Sequence, residues 1–298
     1  MTSLLFAGPA TALSLSSDEL HTSLYAFNRS RLRPALPHEG WRESMVDDIP
    51  MLLAEGEWIE RERLSVAARA AEAPTDPDAF VAWFEQLRLD GPGQGDALFP
   101  WLAHEAPAGA MRWFLQQEVA GEAGFDDLVA LSQLKLPRRP KLEMARNYWD
   151  EMGRGHESAM HGPLLDQLAE DMQLTSEVDH IVWESLALAN LLVGFALNRR
   201  YAYQSIGALG VIELTAPGRA TLVNEGLSRL GLSAQARRYF ALHATLDVKH
   251  SASWNTEVLR PLVASDPRLA RPLAEGALLR LQAGARCFAR YRCELGRA

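Results

Sequence analysis

Only two cysteines, Cys287 and Cys293, occur in 298 residues. So few excludes a disulfide scaffold, a Cys-based zinc site and an iron–sulfur cluster. Long hydrophobic runs are missing too: no apolar stretch reaches the ~18 residues a transmembrane helix needs. The N-terminus lacks the basic n-region of a secretory signal, so the sequence reads as cytoplasmic. Positive charge is in deficit, with 30 Lys and Arg against 38 Asp and Glu and a net charge of −8. Without a basic cluster, nucleic acid and anionic membranes are poor partners. Finally, no sustained alternation of β-branched residues marks a strand.

What remains is helical. Hydrophobic residues make up 48% and charged residues 23%, enough apolar content for a large core in one large domain or two ordinary ones. Ala, Leu, Glu, Gln and Arg dominate, and Pro/Gly clusters separate long amphipathic stretches, so the fold class is all-α. The expected helices are 17–27, 41–55, 57–71, 79–89, 108–134, 142–152, 156–172, 177–215 (with Ser176 as N-cap), 219–230, 234–264 (with Ser233 as N-cap) and 267–295. GPGQG at 91–95 is the clearest linker. It divides an N-terminal helical extension, 1–95, from a second domain, 96–298.

The densest chemical signal is HATLDVKH. His243, Asp247 and His250 stand at i, i+4 and i+7, within about 60° of arc on one helix face. Two imidazoles and a carboxylate on one face suit a first-row metal such as iron; the bland reading is a polar surface face or hydrogen-bonded core histidines. Glu213 ends a very apolar stretch with Gly207 and Gly210 just before it. A carboxylate there is costly to bury unless paired or ligated, and its bland reading is a helix-end group reaching solvent. In WDEMGRGHESAMH, Glu151 closes one helix, GRG turns the chain, and His161 sits in the next, with His156 as its rival in the turn. Glu118 and Glu122, four apart, share a face where a cation would relieve their repulsion.

Together these residues form an ordered set: Glu118 or Glu122, Glu151, His161, Glu213, His243, Asp247 and His250. Helical bundles build carboxylate-bridged dimetal sites in this way. Four carboxylates balance two divalent cations, and three histidines favour iron or manganese over calcium.

At this point the chain resembles the haem-oxygenase-like di-iron oxidases and oxygenases, the iron-containing redox enzymes, over about residues 98–298. The resemblance rests on His243-x3-Asp247-x2-His250, on Glu213 thirty residues before it, and on Glu151-x9-His161 across the MGRG turn. Glu118 resembles the extra carboxylate of the oxygenase members. The resemblance implies a seven-helix core holding two Fe ions with O2 as co-substrate. It implies N-oxygenation or oxidative C–C cleavage of a small amine, amino acid or carboxylate-bearing metabolite. An external electron donor is compatible with this chemistry, and the apolar N-terminal segments offer a homodimer interface. The small residues of 202–210 are the expected wall of the substrate pocket. The competing reading is a helical binding or scaffold protein of the same fold without a working metal site.

Overall fold

The computed structural model describes residues 15–37, 39–122, 124–175 and 177–297; among them every regular element is a helix. Helix α1 (Ser17–Leu32) opens with a capping box between Ser16 and Glu19. Next come α2 (Trp41–Ala70) and α3 (Pro77–Asp90), the latter capped by the Asp76 side chain with Pro77 in its first turn. The remaining helices are α4 (Leu98–His104), α5 (Ala108–Gly121), α6 (Phe125–Ser132), α7 (Arg138–Glu151), α8 (His161–Asp171), α9 (Trp183–Leu197), α10 (Ala202–Arg229), α11 (Arg238–Ser253), α12 (Arg260–Ser265) and α13 (Ala270–Glu294).

The central element is α10, which packs against α13, α11, α4 and α9. Its contact with α13 is unusually close because glycines face carbonyls across it. A Cβ on Gly276 would lie 1.8 Å from the Gln204 carbonyl oxygen, and one on Gly207 would lie 1.9 Å from that of Leu273. Helix α9 is buried on every side from Ser185 to Ala196. By length and composition the span Arg199–Arg229 is apolar enough to cross a bilayer, but 61% of its most apolar stretch is buried inside the protein. That is the environment of a core helix.

The first three helices share this core. Helix α1 lies on α9, α2 on α13, and α3 on α12 and α10. Leu24, Trp58, Phe80 and Phe84 belong to the same apolar cluster as Leu191, Leu209 and Leu278. The GPGQG segment falls between α3 and α4 and is packed rather than loose. Gly91 is buried against Leu87 and Leu281, and Gly93, at φ +76°, sits on Ala285 and Phe288.

Several helix boundaries differ from the sequence expectation, each for a local reason. The expected pair 41–55 and 57–71 is one helix. An interior Gly56 costs ~1 kcal/mol, and the buried Ala54, Trp58 and Ile59 outweigh it. The single stretch expected over 108–134 is broken by Gly124 in the left-handed region, φ +73°. The run expected over 177–215 splits at Asn198, whose side chain accepts a hydrogen bond from the Arg200 amide. Conversely, α10 runs through Pro217 to Arg229, because Val223, Gly226 and Leu227 bury the far side. Ser176 lies outside the described residues. Ser233 does accept from the Ala236 amide, but regular helix begins only at Arg238.

Candidate metal centre

Four helices bring carboxylates and imidazoles to one buried point. Helix α7 supplies Asn147, Asp150 and Glu151. After it, Gly153 (φ +60°) and Arg154 (φ +54°) fold the chain back so tightly that a Cβ on Gly153 would lie 2.5 Å from the Ala159 carbonyl carbon. This turn sets His161, the first residue of α8, against Glu151, with Nδ1 2.6 Å from Oε2. Across from them α10 contributes Glu213, and α11 contributes His243, Asp247 and His250 on one face. Beyond Ser253 the helix continues through a π-turn, Trp254–Leu259, a distortion frequent beside functional sites.

The donor atoms fall into two groups that share one residue. Glu151, His161 and His243 place one ligand atom each within 4.8 Å of one another, and so do Glu151, Glu213 and His250. His161 Nδ1 and His243 Nε2 are 3.2 Å apart. His250 Nδ1 is 3.4 Å from Glu213 Oε2 and 3.9 Å from Asp247 Oδ1. Glu151, Glu213, Asp247, His161 and His250 are all buried, and His243 is half-buried.

A second ring of contacts orients these donors. His243 Nδ1 donates to the Tyr239 carbonyl oxygen at 2.8 Å, which leaves Nε2 to face His161. His250 Nε2 pairs with Asp150 Oδ2 at 3.1 Å, which leaves Nδ1 to face Glu213. Asn147 donates to Glu213 Oε1 at 2.5 Å. Metal-binding histidines commonly have their second nitrogen fixed by a carbonyl or carboxylate in this way.

The electrostatics are those of too many acids in too little water. Burial and the facing Glu213 hold the Glu151 carboxyl well above the usual range. Burial and the charges of Glu213, Glu151 and Glu122 do the same to Asp247. Burial and Glu151 push Glu122 to about 8. Burial lowers His161 and His243 to about 4, each further depressed by a neighbouring imidazole. His250 goes the other way. Burial opposes its charge, but the Glu213 and Asp150 carboxylates outweigh burial and hold it at about 9. Asp247 Oδ1 and His250 Nδ1 are buried without a hydrogen-bond partner. Acids that keep protons, a trapped imidazolium and two orphaned donor atoms are the chemistry of a site that a divalent cation would complete.

The two open choices in the sequence separate in space. His156 is exposed in the turn, while His161 is buried against Glu151. Glu122, at the C-terminal end of α5, faces Glu151, Asp247 and the Tyr239 hydroxyl. Neither acid belongs to a donor group, and Glu118, one turn earlier, meets different neighbours. Its charged neighbours are Arg280 and Arg219, and the Tyr291 hydroxyl lies beside it. The other His/Glu pair, Glu177 and His180, is exposed. Cys287 is buried near Glu118, and burial pushes its thiol up to about 12, which leaves it unreactive.

A cavity of about 110 Å³ opens beside the cluster. Its expected wall at 202–210 is instead closed by packing: Leu273 fills the space at Gly207, and the Trp254 indole fills that at Gly210. The cavity lies further along α10, against Ile212, Ala216, Ala220 and Val223, with Phe114, Leu115 and Phe240 opposite. Glu122, Glu151, Glu213, His243 and Asp247 line it, and so do Glu118, Arg219 and Arg280. Composition and periodicity did not single out Asn147, Asp150, Tyr239, Arg219 or Arg280. The available signal for Arg280 was its place in the stripe Ala277, Gly284, Cys287 and Tyr291, all buried.

The model of a family described as iron-containing redox enzyme matches residues 112–285. No curated protein matches the chain. Among solved structures, the crystal structure of a CADD-like protein of unknown function from Nostoc punctiforme PCC 73102 superposes with a TM-score of 0.56 at 19% identity. The match covers 73% of this chain and 97% of that one; at this identity it shows a shared fold.

Proposed function

Because the chain belongs to the family of iron-containing redox enzymes and has the all-α haem-oxygenase-like fold, we propose that it is an O2-dependent non-haem di-iron oxidase or oxygenase. Its substrate is a small amine, amino acid or carboxylate-bearing metabolite held in the cavity beside the cluster. The observation that carries this reading is the pair of donor groups with Glu151 in common. A single metal site would need three or four ligands, whereas this cluster offers two overlapping sets.

Glu151 is the carboxylate shared between the two positions. His161 and His243 complete one set, and Glu213 and His250 the other. Asp247 stands beside His250, and Glu122 stands nearer these acids than Glu118, the extra carboxylate that the resemblance implies. Bound there, two irons would supply the reducing electrons and open coordination positions that O2 chemistry requires. Asp150 and the Tyr239 carbonyl fix the imidazole tautomers, and Asn147 fixes the Glu213 carboxylate. The aromatic and aliphatic walls exclude water from the reacting groups. Oxidised product would be N-oxygenated or cleaved at a C–C bond, with an external donor restoring the reduced state where the substrate does not. A scaffold of this fold would have no use for Glu151, Glu213 and Asp247 buried face to face, which favours the enzyme.

Anaerobic titration of the metal-free protein with Fe(II), followed by protein-bound iron analysis, tests the reading. Uptake saturates at about two irons per chain, and Glu151→Ala weakens binding at both positions. Saturation at one iron, or uptake indifferent to Glu151→Ala, overturns it.

A further inference from the structure

The two arginines in the cavity have no role in holding metal, and nothing in the fold neutralises them fully. Arg219 reaches back along α10, as helical side chains do, and its Nη2 donates to Thr215 Oγ1 at 3.3 Å. Its guanidinium lies 5.6 Å from the Phe288 ring centroid and 5.9 Å from that of Phe99. Arg280 comes from the opposite side, on α13, and its Nε is buried without a partner. Neither closes an ion pair among the described residues. They face each other's charge with Glu118 beside both and Glu122, at the cluster end, near Arg280. The other ionisable neighbours are neutral near pH 7: burial holds the Cys287 thiol at about 12 and the Tyr291 phenol far above its ordinary value. With Glu122 turned to the metal cluster, two half-buried guanidinium ions meet one carboxyl group, Glu118, whose ionisation burial opposes, and at least one positive charge is left uncompensated. A buried charge without a counter-ion is strongly unfavourable.

We propose that Arg219 and Arg280 form the seat for the carboxylate of a small monocarboxylic substrate, whose apolar body lies along the Phe114 and Phe240 walls towards the metal cluster. The charge count selects a monoanion: one negative charge completes the pair, whereas a phosphate dianion would overfill it and meet Glu118. The planar forked donors of arginine match a carboxylate's two oxygens. The spacing fits a small acid. Glu118 marks the arginine end and Glu122 the cluster end, one helical turn apart on α5, ~6 Å. A molecule anchored at its carboxylate thus presents to the cluster an atom only a few bonds away. Glu118 has two functions in this seat. It keeps the paired arginines from repelling each other when the cavity is empty of acid, and it competes with the incoming carboxylate.

This inference rests on the substrate side of the di-iron reading but needs no metal to be tested. Isothermal titration uses the full chain, as purified and after EDTA treatment. The probes are hexanoate and 3-phenylpropanoate, each with its neutral amide, and 3-phenylpropylamine. At least one acid binds both forms of the protein, and its amide and the amine bind about tenfold or more weakly, the loss of a charge-assisted hydrogen-bond pair. Arg280→Met and Arg219→Met each abolish the preference for acid over amide, Arg280→Lys restores part of it, and Glu118→Gln tightens acid binding several-fold. Equal binding of acid and amide by the wild-type protein, or binding of neither, overturns the seat without calling on any variant. Acid preference that disappears with EDTA also overturns it, because the carboxylate would then be bound to metal. Acid preference in a protein that takes up no iron would leave the seat standing and remove the di-iron reading.

Discussion

His21 reports how firmly the N-terminal helices belong to the fold. On the inner face of α1 it is only 2% exposed. Its ring stacks on Trp183 of α9 at 5.5 Å and meets Trp58 of α2 edge-on at 4.7 Å. Its backbone carbonyl accepts a hydrogen bond from Asn190. Burial, with a smaller push from Arg286, lowers its pKa to about 4, so the folded protein holds it neutral where an unfolded chain titrates near 6.5. Above that pH both states carry neutral imidazole and His21 adds no pH dependence. As the pH falls below ~6.5, the unfolded chain takes up a proton that the folded one refuses, and stability is lost until about pH 4. The loss attributable to this one group is about 2 kcal/mol at pH 5 and approaches about 3.4 kcal/mol at lower pH, since each pH unit between the two titrations costs ~1.36 kcal/mol. His21→Phe keeps a ring between the two tryptophans and removes the titration. Urea unfolding of both proteins in EDTA at pH 7 and pH 5 isolates the contribution, since every other titrating group is common to the pair. The variant should lose about 2 kcal/mol less than wild type between the two pH values. Equal losses would mean that α1 does not hold His21 dry between the tryptophans, and the account of the N-terminal packing would fail.

Two further outcomes follow from the same geometry. Glu122→Gln should weaken Fe(II) uptake ~10–100-fold, while Glu118→Gln leaves it unchanged; anaerobic binding curves that rank the two variants the other way would return Glu118 to the cluster. Gly276→Ala should lower Tm by several degrees, because its Cβ would sit 1.8 Å from the Gln204 carbonyl and force α10 and α13 apart, an overpacking cost of ~1–3 kcal/mol or more. Gly56→Ala, with nothing within 4 Å of the added methyl, is the matching control. It should stabilise by up to ~1 kcal/mol, and calorimetry giving both variants the wild-type Tm would refute the packing argument.

Helix content was legible because it is written in local composition. The start expected at residue 17 is a true one, closed by the Ser16 cap, and Leu- and Ala-rich faces mark the core. Boundaries were harder wherever a local signal and long-range packing disagreed. Pro217 and Gly56 look like helix ends in sequence but lie within helices that are packed on both sides. Asn198 looks like nothing in particular, yet it turns the chain between two buried helices. The same disagreement governs residues 91–95. Their glycines read as flexibility, whereas two of them are there because α13 leaves no room for a side chain.

The candidate site shows where such reading stops. His243, Asp247 and His250 could be placed on one face because a helix fixes their mutual angles. Glu151 and His161 could be paired because the glycine turn between them is short. Nothing local distinguishes Glu118 from Glu122, since both lie on the inner face of α5 and differ by one turn. What separates them is the neighbour each meets: Glu151, Asp247 and Tyr239 for one, Arg219, Arg280 and Tyr291 for the other. Those partners arrive from α7, α10, α11 and α13. The distinction therefore exists only once the helices are assembled. It also changes what the acids are for. An acid among acids calls for a metal cation, and an acid outnumbered by arginines leaves room for one more anion. On α5 these two requirements stand a single helical turn apart, which is the arrangement needed to hold an anionic molecule next to a metal pair.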